Sequence, residues 1–379
     1  MDKKEVFIAS NYFDPAVESK VSRRDKDGNR KQISYPLAIV QYNQYMGGVD
    51  LSDQKIKYYT IDQKSKRNWM RIFFHFLVNI PANATWKQNG VTIAGGNGRG
   101  DATNRLSYPL GLFVDDDQAV VIADYRNHRI MQRKNGDTTN GQVVAGGNGG
   151  ENGLNQLQYP TDVLIDKETD SLIICEGRRV VRWSRRSGTT QGEILIDNID
   201  CWGLAMDEQR YLYVSDTEKH EVRRYQLGEK NGTLVAGGNG KWDGLNQLNE
   251  PTYLFVDRQQ TVYVSDNNNH RVMKWNKGAK EGIVVAGGQG CGNALTQLHW
   301  ANGIFVDTLG TLYVADTGNH RVMRWTQGNK NQGTVIVGGN GYGAGANQFY
   351  FPYGLSFDRH GNLYVADRDN SRVQRFSIE

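Results

Sequence analysis

Cysteine is scarce in this chain: Cys175, Cys201 and Cys291 are the only three in 379 residues, too few for a disulfide framework. Cys175 and Cys201 could fall in neighbouring units of a repeat, but unpaired buried thiols are the expected state. Long apolar runs are also missing. The longest, Ile72 to Ile80, is interrupted by His75 and Asn79 and is too short to cross a bilayer. With a mean hydropathy of −0.63, a membrane protein is not expected. The opening MDKKEVFIAS has no apolar stretch of the kind a secretory leader carries, which leaves the cytoplasm or nucleus as the default compartment. Nor is there a strong charge bias. The net charge is +4, and residues 1–88 hold 15 Lys and Arg against 9 Asp and Glu, leaving 30 against 32 for the remainder. Any basic character therefore belongs to the front of the chain.

What is present is a repeated sentence. YVADTGNHRVMRW (Tyr313 to Trp325) recurs as YVSDNNNHRVMKW, VIADYRNHRIMQR and YVADRDNSRVQRF, more loosely as YVSDTEKHEVRRY, and in shortened form as IICEGRRVVRW. The acidic residue stands at Asp124, Glu176, Asp216, Asp266, Asp316 and Asp367, at steps of 52, 40, 50, 50 and 51 residues. Short alternating strands at that period are the mark of propeller blades. Each unit reads as four strands separated by glycine-bearing turns, and 44 glycines suit so many turns. Six fourth strands are present, but the first, at 91–96, precedes any complete unit and the last unit ends without one. Pairing Val91 to Ala94 with Arg372 to Phe376 resolves the count and removes two open sheet edges. The expected fold is an all-β six-bladed propeller of four-stranded blades, an N-terminal strand closing the last, with a small α+β N-terminal segment. The domain division expected is 1–88 and 89–379.

The propeller pattern, an inner strand ending in VD followed by YVAD-x-x-NHR, resembles the NHL repeat family over about residues 90–379. The front segment resembles something else. It opens with VFIAS, SKVSRR and KQISY flank a hairpin turn at Asp27-Gly28-Asn29, and Trp69, Ile72, Phe73, Phe76, Leu77 and Ile80 form one face of an amphipathic helix. VFIASNYFD, ISYPLAIVQYNQYMGGVDLSDQ and KSKRNWMRIFFHFLVN are similar to the end of the catalytic domain of piggyBac-type transposases over residues 3–84. That resemblance implies an RNase H-like domain in which three aspartates hold two metal ions. Asp50 matches the third, and the first two have no counterpart here. One carboxylate cannot assemble a two-metal site, so no catalytic residue is expected in this segment.

Within the repeats, Asp124, Asp216, Asp266, Asp316 and Asp367, with His128, His220, His270 and His320, invite a metal reading. They are copied blade by blade around a ring and cannot converge on one ion, so structural roles are expected: Asp bonding turn amides, His bridging strands. Asp166, Asp257, Asp307 and Asp358 are read as turn caps. The loops related to GGNGKWDGLNQLNEP lack the helix and Lys-Ser/Thr of a phosphate cradle and are read as connectors between blades. Arg99-Gly100-Asp101, in one of them, is too short a match to carry a function. Candidate ligand contacts are sought where the repeats differ. The residue one place into each inner strand, Leu110, Thr161, Trp202, Thr252, Asn302 and Tyr353, is expected near one channel mouth, with drift at a solvent-exposed position as the competing reading. Asn83 and Asn231 head glycosylation sequons, which leave an extracellular ancestry open.

The function expected is a non-enzymatic binding module, without cofactor or metal, monomeric, with a protein ligand as partner and no membrane. The NHL resemblance also implies two alternatives. One is RNA binding, for which Arg178, Arg179, Arg182, Arg185 and Arg186 are a local cluster. The other is a metal-dependent amidating lyase, which needs converging histidines. DNA binding through Lys64, Lys66 and Arg67 is the alternative for the front segment. Three cysteines are too few for an accompanying ubiquitin-ligase zinc domain.

Overall fold

In a computed structural model the described residues are 18–24, 30–36 and 80–379, without 135, 137–139, 187 and 327–331. The chain divides into two units, Met1–Asp62 and Gln63–Glu379. In the first, strands Glu18–Arg24 and Arg30–Pro36 pair antiparallel with Val21 opposite Ile33, the hairpin that the sequence predicts. Its turn, the VFIAS strand, Asp50, the helix face from Trp69 to Leu77 and the basic residues Lys64, Lys66 and Arg67 lie outside the described residues.

The second unit holds six four-stranded antiparallel sheets. Blade one is Pro109–Val114, Val120–Asp124, Arg129–Arg133 and Gln142–Gly146, and blades two to five repeat it in order. Blade six takes Pro352–Phe357, Leu363–Asp367 and Arg372–Phe376 from the end of the chain and its fourth strand, Val91–Gly95, from before blade one. Val373 pairs with Ala94 and Arg375 with Val91, which is the closure that the strand count predicts. The inner strand of blade six lies against that of blade one, so the ring is complete.

Alternating residues place apolar side chains on both faces of each blade, and neighbouring blades bury them between themselves. Six apolar clusters result, one per seam. The blade-one to blade-two seam holds Val121, Ile130, Val163, Ile174 and Trp183. The seam between blades five and six also holds Ile80, Ala84 and Trp86. Trp86 is fully buried against Tyr313 and Phe357, and its Nε1 donates to the Gly361 carbonyl at 2.9 Å. Lys87 N donates to Ser377 O and Glu379 N to Thr85 O, each at 2.9 Å, lengthening the closure beyond the fourth strand.

One expectation is corrected. Cys175 and Cys201 are joined in a disulfide, their Cα atoms 5.8 Å apart. Cys175 is the last residue but one in the second strand of blade two, and Cys201 opens the inner strand of blade three. In the next two seams the residue matching Cys175 bonds one place further along the inner strand: Ser215 Oγ donates to Thr252 O at 2.6 Å and Ser265 Oγ donates to Asn302 O. The thiols are paired because this seam brings their two backbone positions together.

Candidate binding face and central funnel

The repeated acidic residues hold each blade to the connector before it. Asp266 accepts Asn249 N at 2.7 Å on one oxygen, and Asn269 Nδ2 at 2.8 Å and Arg271 Nε at 2.7 Å on the other. The rest of the Arg271 guanidinium donates to the carbonyls of Asp243, Gly244 and Gln247. Asp124, Asp316 and Asp367 repeat this arrangement with Arg129, Arg321 and Arg372. Burial pushes all four carboxyls up, opposed by these donors. In blade three, Asp216 has Lys219 instead, since Glu221 stands where the arginine would be.

The histidines pin the following blade. His128, His220, His270 and His320 all adopt left-handed backbone, φ between 52° and 55°. Their Nδ1 atoms accept the backbone amides of Tyr159, Glu250, Trp300 and Phe351 at 3.1–3.3 Å. Burial lowers the pKa of His128, His270 and His320, keeping the acceptor form. Among the described residues, no three His, Cys, Asp or Glu side chains are placed to hold a metal ion. The aspartates ending the inner strands accept turn amides, as Asp307 does from Leu309 and Thr311, and Asp207, Asp307 and Asp358 also accept a tyrosine hydroxyl. The connectors are tied internally, for example by Asn239 Nδ2 to Asn246 O and Gln247 Nε2 to Asn239 O.

The six-residue candidate ring is placed differently from the expectation of an open mouth. Leu110, Thr161, Thr252 and Asn302 are buried, while Trp202 and Tyr353 are half-buried. Thr252 Oγ1 donates to Ala301 O, and Asn302 Oδ1 accepts Asn267 Nδ2 at 3.3 Å, so these side chains serve the seams. Four of the five arginines of the blade-two cluster form ion pairs: Arg178 with Glu218, Arg179 with Glu176, Arg182 with Glu193, and Arg185 with Asp115 and Asp170.

Two features emerge in its stead. The first lies one residue before each inner strand, at Tyr108, Tyr159, Asp200, Glu250, Trp300 and Phe351; five of these, all but Asp200, have positive φ. Aromatic rings connect around this face. His270, His299, Trp300, Phe351, Tyr350 and Tyr342 form a continuous band, with successive ring centroids 4.2–6.4 Å apart. Arg99, Arg126 and Arg368 gather over Tyr108 at 3.9, 5.1 and 4.6 Å. Tyr342 is 68% exposed, Tyr159 42% and Trp300 39%, so the face offers aromatic surface to solvent. The aromatic and arginine side chains cover blades five, six, one and two, with acidic residues on three and four. The signal in the sequence was the aromatic residue directly before the inner strand, one place from the position singled out.

The second feature is a funnel of about 260 Å³ along the ring axis, open at the other end of the inner strands. Its walls include Leu112, Phe113, Leu204, Phe255, Phe305 and Leu355. At the narrow level the inner strands carry Gly111, Asp162, Gly203, Tyr253, Gly303 and Gly354. At Gly203 and Gly354 a side chain would clash, because a Cβ on Gly203 would lie 2.5 Å from Thr252 O and one on Gly354 2.4 Å from Leu110 O. Tyr253, in blade four, reaches over to blade two, where its hydroxyl donates to Thr161 O at 3.4 Å. The indole of Trp202 faces that hydroxyl, though its buried Nε1 forms no bond of good hydrogen-bond geometry.

Residues 298–324 and 349–376 are NHL repeats by their family model. The front of the chain, residues 1–85, matches the family described as Transposase IS4. Among solved structures, a protein of unknown function from Bacteroides thetaiotaomicron VPI-5482 is 18% identical, with 78% of this chain covered, 76% of that one, and a TM-score of 0.62. An auxiliary nutrient binding protein from the same organism is 16% identical, with coverage of 78% and 77% and a TM-score of 0.60. A gluconolactonase from Xanthomonas campestris is 14% identical, with coverage of 80% and 99% and a TM-score of 0.55. At these identities the likeness is one of fold. It includes a binder and an enzyme, so the fold alone does not choose between those roles.

Proposed function

We propose that the propeller is a non-enzymatic binding module that takes a protein ligand on the aromatic and arginine face. The observation that carries this reading is the exposed band from Trp300 to Tyr342 together with the three arginines over Tyr108. Aromatic and arginine side chains are the residue types that dominate interface energetics. An apolar patch of this kind on a rigid disc would otherwise be a liability in water. The acidic arc on blades three and four gives the face a charge direction, which would orient a partner.

The test is selection of peptides by display against the purified chain, with the selected peptides measured against Trp300→Ala and Tyr108→Ala variants. Convergent peptides that weaken at least about tenfold on both variants support the reading. Peptides indifferent to both variants overturn it. RNA is the second reading, because stacked aromatics and arginines also suit single-stranded bases. It predicts steep salt dependence, which a protein ligand on a face of mixed charge does not. The front segment is read as a piggyBac-type fragment without strand-transfer activity, since only Asp50 of its metal set is present. That reading fails if the chain cleaves or joins transposon-end DNA with a divalent metal.

A further inference from the structure

We propose that the central funnel is a second site, taking a small primary ammonium with an apolar or aromatic tail, its nitrogen against Asp162 and its tail against Phe113, Phe255 and Phe305. Asp162 is the only ionisable carboxyl at the narrow level, and it is 8% exposed. Its carboxyl accepts Val163 N and Leu204 N, each at 2.9 Å. Among the described residues, no lysine or arginine forms an ion pair with it. A buried carboxylate without a cation is costly, and two backbone amides only partly offset that cost. Burial accordingly pushes its pKa up to about 7.

The ring does not require an acid at this place. Four blades have glycine there and one has tyrosine, and the seams close in each case. An asparagine could accept the Leu204 amide on its single oxygen, giving up the bond from Val163 N. What the acid adds is a negative charge at the base of an aromatic-walled cavity, where a cation is attracted both to the carboxylate and to the ring faces. Phe255 and Phe305 lie 5.3 Å apart along that wall. Around the funnel, seven carboxylates stand against three basic side chains of the lining, with Arg185 and Arg258 paired to Asp115 and Glu208 from outside it, which leaves an acidic excess that favours cations. The volume lies below the range of about 300–1,000 Å³ for drug-sized ligands, which limits the occupant to a small amine.

The experiment is calorimetric titration of the full chain with 2-phenylethylamine and with 2-phenylethanol, which has the same shape and no charge. The amine should bind at least about tenfold more tightly than the alcohol. Near pH 7, titration in two buffers of different ionisation enthalpy should show release of part of a proton, because the ammonium favours the charged carboxyl; the release should vanish at pH 8.5. Asp162→Asn should abolish the preference for the amine, with circular dichroism confirming the fold. Phe305→Ala should weaken the amine severalfold. Equal binding of the two probes, no binding of the amine at about 10 mM, or an unchanged preference in Asp162→Asn overturns the proposal. Should the asparagine variant not fold, the two probes and the proton release on the unmodified chain decide alone.

Discussion

At the scale of single residues, the repeated charges are pairs whose halves cannot be removed separately. Asp266 is fully buried and Arg271 nearly so, with the guanidinium divided between that carboxylate and three carbonyls. Asp266→Ala would strand a buried cation and should cost about 3–5 kcal/mol, read as a fall in the urea midpoint. The histidine pins carry a pH dependence. Burial depresses the folded pKa of His128, so the neutral form is the one the fold prefers. Its contribution is complete above the unfolded value of about 6.5 and is lost as pH falls through that value and the lower folded one. His128→Asn tolerates left-handed backbone and keeps an acceptor near the Nδ1 position. Between pH 7.5 and 5 its stability relative to the unmodified chain should rise, followed by thermal melts at each pH.

At the scale of elements, three of the six seams carry a side-chain fastener near the end of a second strand, beside the next inner strand. Blades three and four use Ser215 and Ser265, and blade two uses the Cys175–Cys201 disulfide across 26 residues. Cys201→Ser should lower stability by about 3 kcal/mol in oxidising buffer and by far less in the presence of reductant. The strands themselves were legible because period-two alternation and a copied motif repeat at one spacing. So was the closing strand, which follows from counting. The burial of the candidate ring was not legible for a physical reason: the pairing shifts register between Pro109 and Leu112, and likewise in the other five inner strands. A bulge breaks the alternation, so the residues just after the proline cannot be assigned to a face by period. The aromatic face on one side of that bulge and Asp162 on the other were therefore invisible to the pattern. The disulfide was equally hidden, since it depends on which backbone positions a seam juxtaposes.

At the scale of the whole molecule, stability depends on closing a circle, and the closure has two parts. Val91–Gly95 supplies the fourth strand of blade six, while Ile80, Ala84 and Trp86 fill the seam between blades five and six. The two parts should fail differently. A chain beginning at residue 80 retains both and is the reference for the other two. Beginning at residue 89 removes Trp86 and its partners but leaves the strand, so the ring should still close with a loss of about 3–5 kcal/mol, the cost of emptying a tryptophan site. Beginning at residue 97 removes the strand itself. That leaves Arg372–Phe376 as an open edge ready to pair with another chain. Size-exclusion chromatography with light scattering should then show monomers for the first two chains and aggregates for the third. A monomeric third chain with an unchanged melt would mean that the hydrogen bonds between Arg372–Phe376 and Val91–Gly95 are not what holds the propeller shut.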